Sequence, residues 1–85
     1  MKVLYFSADW CGPCKMFKPI VEQVSRETGV FVNYINVDYD ASFTQKYSVT
    51  SVPTMIIAGD DGSEWHRQTG PTTAQQLKDT FSRFR

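Results

Sequence analysis

Residues 2–8, KVLYFSA, form an apolar run with β-branched and aromatic members that no helical period explains. Such a run reads as a central strand buried on both faces. The next apolar positions, Met16, Phe17, Ile20, Val21 and Val24, recur every three or four residues. That spacing marks an amphipathic helix from Pro13 to about Glu27, with Gly29 just past its end. VFVNYINV (30–37) follows as a second strand. A strand, one helix and another strand leave few topologies, and a right-handed crossover between parallel strands is the expected one. Pro19 lies inside the helix, removes one backbone hydrogen bond and predicts a kink.

The remaining elements follow from equally local signals. A short helix is expected near Ala41–Tyr47, with Asp40 as its cap. PTMIIA (53–58) and EWHRQT (64–69) read as two strands, joined by hairpin turn chemistry at Asp60–Gly62. TTAQQLKDTFSRF (72–84) closes the chain as an amphipathic helix on Leu77, Phe81 and Phe84. The order is β-α-β-α-β-β-α, an α/β fold in a single domain over residues 1–85, since a second core would require roughly 50 further residues.

Composition bounds the partners. Apolar residues make up 41% of the chain and twelve residues are aromatic, enough for a compact core. Nine basic and nine acidic residues cancel, and no Lys/Arg run reaches three. A footprint for nucleic acid or anionic lipid is therefore missing. The apolar runs fall short of the ~20 residues of a membrane span. Ser7 and Asp9 interrupt the N-terminal run where a secretory signal would stay apolar, so the expected location is the cytoplasm.

The chain holds two cysteines, Cys11 and Cys14, in FSADWCGPCKMFKP (6–19). Two cysteines do not make a disulfide scaffold, and a CxxC pair in a reducing compartment is catalytic or metal-binding. A thiolate is the nucleophile of disulfide exchange, and a helix cap with free N–H groups stabilises it at Cys11. Cys14, one turn deeper, can close a small ring with it. In that arrangement Cys11 can attack a substrate disulfide, after which Cys14 can attack Cys11 and release the reduced substrate. Gly12 leaves room for a partner, and Pro13 fixes φ where the first-turn N–H has no partner. A zinc site would require two more ligands, and His66 is the only remaining soft one, on a strand far along the chain. Gly-Pro between the thiols is poor filling for a buried core.

WCGPCK (10–15), the downstream SVPT (51–54) and a hairpin ending in TG (69–70) together resemble the thioredoxin family, from Val3 to Phe84. The resemblance implies a thioredoxin-like fold with a four-stranded mixed sheet and three helices, lacking the family's usual N-terminal strand and helix. It implies Cys11 as attacking and Cys14 as resolving thiol, and a cis peptide at Val52–Pro53 beside the bound substrate strand. Trp10, Gly12, Pro13, Val52, Pro53 and Gly70 would line a substrate groove. Trp10 as plain core and Gly70 as a turn glycine before Pro71 are the competing structural readings, and Lys15 and Lys18 read as solvated helix residues. No cofactor is expected beyond the redox-active disulfide Cys11–Cys14, and no metal.

Protein disulfides are the implied substrates, with NADPH-dependent thioredoxin reductase as electron donor. A glutaredoxin-like donor dedicated to one enzyme, such as ribonucleotide reductase, is the alternative within redox chemistry. A non-catalytic binding subunit is the alternative outside it. The expected form is a monomer, with a weak dimer through the exposed edge strand 30–37.

The chain also departs from the family pattern. Tyr5 stands where a buried aspartate precedes the first cysteine, and Tyr34 where the partner strand carries a lysine. A tyrosine of pKa ~10 is a weak base at neutral pH, so resolution by Cys14 is expected to rely on water. The two tyrosines are candidates for tuning Cys14 by hydrogen bonding near it, with plain packing aromatics as the competing reading. Ser51, Ser7 and Thr69 replace a glycine, a tryptophan and an apolar residue, which makes the groove more polar.

Overall fold

The computed structural model describes residues 1–85. In chain order it contains β1 (Lys2–Ser7), α1 (Gly12–Thr28), β2 (Val32–Asn36), α2 (Ala41–Lys46), β3 (Thr54–Ala58), β4 (Glu64–Thr69) and α3 (Ala74–Phe84). The four strands form one mixed sheet in the order β2-β1-β3-β4. β1 runs parallel to β2 and antiparallel to β3, and β3 pairs antiparallel with β4. The expected architecture is present, with several ends placed differently.

Each shifted end has a local cause. β2 starts at Val32 rather than residue 30, because the ladder begins at Val3↔Val32 and β1 itself opens only at Lys2. Phe31 consequently stands 77% exposed. β3 starts at Thr54 because Pro53 has no N–H to give to a ladder. α3 starts at Ala74, two residues late, because Thr73 is its cap. The Thr73 hydroxyl accepts the Gln76 N–H and the Gln76 side chain accepts the Thr73 N–H, a full capping box. α1 continues past Pro19 to Thr28 and is capped by Gly29, whose φ of 73° is the left-handed conformation that glycine adopts without strain.

Alternation along the strands sorts the core into two layers. On one face Val3, Tyr5, Val32, Met55 and Ile57 pack against Phe17, Val21 and Val24 of α1 and against Leu77 and Phe81 of α3. On the other, Leu4, Phe6, Ile35 and Ile56 meet Tyr47 at the end of α2. β1 is buried on both faces, as a central strand must be. β2 forms one edge of the sheet, and an open cleft of about 960 Å³ runs beside it, lined by Leu4, Phe31, Ile35, Phe43 and Tyr47 among others. No helix is long and apolar enough to cross a membrane.

Candidate active site

The site begins where β1 ends. A tight turn, closed by the Cys11 N–H donating to the Ala8 carbonyl, carries the chain from the sheet into α1. Cys11 occupies the N-cap with extended backbone angles, and its Sγ accepts the Cys14 N–H at 3.2 Å. A helix start leaves its first amides without partners, and here a sulfur takes one of them. The same geometry holds a thiolate, because the amide and the positive end of the helix both favour negative charge. Cys11 and Cys14 form a disulfide, with Cα atoms 5.3 Å apart.

Ala8, Cys11 and Cys14 make a small buried cluster, capped by Val37 from the end of β2 and by Val52 from the loop before β3. The Val52–Pro53 peptide is cis. The Pro53 carbonyl accepts the Gly70 N–H at 2.9 Å, which ties the end of β4 to this loop. Gly70 has a φ of 88°, so its glycine is required by the backbone. Gly12 differs. A Cβ there would meet nothing within 4 Å, so the fold tolerates a side chain and only an approaching partner would feel it.

Trp10 is 70% exposed, which disposes of its reading as core. Its indole N–H donates to Asp38 Oδ2 at 2.9 Å. The ring borders a pocket of about 200 Å³ with Val37, Thr44, Val49, Thr50, Ser51 and Val52. Neither Asp38 nor Val37 is marked by any motif in the sequence. Their signal is topological: both follow the C-terminal end of a strand parallel to the one that leads into the cysteines, where α/β sheets place their sites. Asp38 is held in turn by its own N–H donating to Asn36 Oδ1, and Asn36 donates from Nδ2 to Asp9 Oδ1.

Tyr5 and Tyr34 face each other across β1 and β2. Tyr5 is fully buried, and its hydroxyl donates to the Cys14 carbonyl at 3.0 Å. Burial, reinforced by Tyr34 beside it, pushes the Tyr5 hydroxyl up to about 12. It is a hydrogen-bond donor at neutral pH, not a base. Tyr34 packs edge-on against the Tyr5 ring at 5.8 Å and sits half exposed under Lys18 Nζ, 5.3 Å from its centroid. Its hydroxyl is also raised, first by burial and then by Glu22, with Arg26 opposing. No group of three or more His, Cys, Asp or Glu side chains is arranged to hold a metal. His66 lies on β4, stacked on Phe84 with centroids 5.1 Å apart.

Residues 1–83 match the thioredoxin family model. The chain belongs to the thioredoxin family. It is 38% identical over 81 residues to a thioredoxin of Chlamydia caviae, a match that covers 94% of this chain and 72% of that one. It is 43% identical over 67 residues to a thioredoxin of Chlamydia trachomatis, covering 76% of this chain and 64% of the relative. Its fold resembles a mutant thioredoxin of Halobacterium salinarum with a TM-score of 0.88 and 34% identity, over 96% of this chain and 72% of that one. With the Cys11–Cys14 disulfide at the start of α1, this member of the family is a thiol–disulfide oxidoreductase.

Proposed function

We propose that this protein reduces disulfides in other proteins, with Cys11 as the attacking and Cys14 as the resolving thiol. The observation that carries the assignment is the N-cap position of Cys11, whose sulfur already accepts a helix amide. Reduced Cys11 attacks one sulfur of the substrate disulfide, and the other substrate sulfur leaves as a thiolate with the electron pair. Cys14 then attacks Cys11, the mixed disulfide breaks, and the second substrate sulfur departs. Trp10, Gly12, Pro13, Val52, Pro53 and Gly70 form the surface on which the substrate strand lies. The open space at Gly12 and the exposed face of Trp10 support this reading.

Electrons come from an NADPH-dependent thioredoxin reductase, and the location is the cytoplasm. The working form is a monomer, and the open edge of β2 supports only a weak, concentration-dependent dimer. An insulin-type disulfide reduction assay, run with either thioredoxin reductase and NADPH or glutathione, tests substrate and donor together. Turnover with the reductase and loss of turnover in Cys11→Ser support the proposal. Turnover with glutathione alone would assign a glutaredoxin-like donor instead, and undiminished partner binding without turnover would assign a binding subunit.

A further inference from the structure

Cys14 is tethered at both of its backbone polar groups. Its N–H donates to Cys11 Sγ at 3.2 Å, and its carbonyl accepts from the Tyr5 hydroxyl at 3.0 Å. Tyr5 is itself held rigidly, 0% exposed, with its ring edge-on to Phe17 at 5.9 Å and to Tyr34 at 5.8 Å. The two tethers stand differently to the reaction. The Cys14 N–H is held by Cys11 Sγ, an atom that changes its bonding partner when it is joined to the substrate. The Tyr5 bond involves no reacting atom and persists.

We propose that Tyr5 is a positioning residue for the resolving step, holding Cys14 by its carbonyl while Cys11 is joined to the substrate. The inference rests on the assignment of Cys11 as attacking and Cys14 as resolving thiol. In the step itself the Cys14 thiolate forms the S–S bond with Cys11 Sγ, and the bond from Cys11 to the substrate breaks. The substrate sulfur leaves with the electron pair, and the Cys14 proton passes to solvent water. Tyr5 supplies neither proton nor electrons. It holds the backbone that carries Cys14 through a group that takes no part in the bond changes, and a small misplacement of a reacting atom is costly in rate.

The test separates attack from resolution with one equivalent of the aromatic disulfide dithiobis-nitrobenzoate, added to the reduced protein under rapid mixing. The first thionitrobenzoate appears on attack by Cys11 and the second as Cys14 closes the ring. Tyr5→Phe keeps the ring and removes the hydroxyl. Its first phase should match the wild type, and its second should slow about fivefold, the rate equivalent of one lost hydrogen bond. Tyr34→Phe should leave both phases unchanged.

Equal slowing of both phases in Tyr5→Phe, no slowing, or the same slowing in Tyr34→Phe would overturn the proposal in favour of plain packing. Cys14→Ser should retain the first release and lose the second. If it loses the first, the assignment of the attacking thiol is at fault rather than the role of Tyr5. Should Tyr5→Phe not fold, the mixed disulfide of Cys14→Ser with thionitrobenzoate gives a second reading by proton NMR. A slowly exchanging Tyr5 hydroxyl proton there supports the tether, and its absence refutes it.

Discussion

Removing the Tyr5 hydroxyl should produce a stability difference that changes sign with pH. At neutral pH the wild type holds the Tyr5–Cys14 hydrogen bond, worth about 1 kcal/mol net, so Tyr5→Phe is the less stable protein. Burial first, and Tyr34 second, push Tyr5 from 10.0 up to about 12 in the folded chain. A raised folded value favours the protonated form on folding. The associated stability is whole below about pH 10 and is lost as pH rises toward 12, because the unfolded chain gives up its proton first.

The loss runs at about 1.4 kcal/mol per pH unit, or roughly 2.7 kcal/mol across the interval. Tyr5→Phe has no such proton to lose. Tyr34 is raised as well, but both proteins carry it and its contribution largely cancels in the difference. The two stabilities should therefore cross near about pH 10.7, and above that the variant should be the more stable. Urea unfolding of the oxidised proteins at steps from about pH 7 to 11.5 measures this directly. A difference that stays constant across the range, or that grows in favour of the wild type above pH 10, would refute the assignment of a buried, protonated Tyr5.

Asp38→Ala should free the indole of Trp10 and raise KM for a protein disulfide about fivefold with little change in kcat, read in steady-state insulin reduction. Gly70→Ala should cost about 1–2 kcal/mol in urea unfolding because of its φ of 88°. Gly12→Ala should leave stability within about 0.5 kcal/mol while lowering activity on proteins more than on small disulfides. Arg67 holds the Glu64 carboxylate, the carbonyl of Ser48 at 3.5 Å and the carbonyl of Tyr47. Its hydrogen bond depresses Glu64 below the usual 4.5, so that stability is present at neutral pH and is lost as pH falls through the depressed folded value. Arg67→Met should abolish that part of the acid sensitivity, measured as Tm between about pH 2 and 6.

Much of the fold is legible in the sequence because its signals are local. The period of Met16, Phe17, Ile20, Val21 and Val24 marks α1, and Asp40 before Ala41 marks the cap of α2, where its carboxylate accepts the Phe43 N–H. The ends are less legible, because they depend on neighbours. Where β2 starts is decided by where β1 starts, and where α3 starts by the reciprocal bonds of Thr73 and Gln76. Trp10 has the sequence features of either core or surface, and only the folded chain shows which, with the ring exposed and its N–H on Asp38, 28 residues away.

The sequence by itself determined the chemistry. Two cysteines three positions apart at the start of an amphipathic helix must lie one turn from each other, because helical geometry allows nothing else. Tertiary structure decided what surrounds them. Val37 and Val52 cap the two cysteines, Gly70 is tied to Pro53, and the Tyr5 hydroxyl reaches the Cys14 carbonyl. Each of these contacts joins residues from different elements, and their meeting depends on strand order, register and the packing of α1 on the sheet. A period in the sequence specifies a face, and only the assembled layers specify what that face meets.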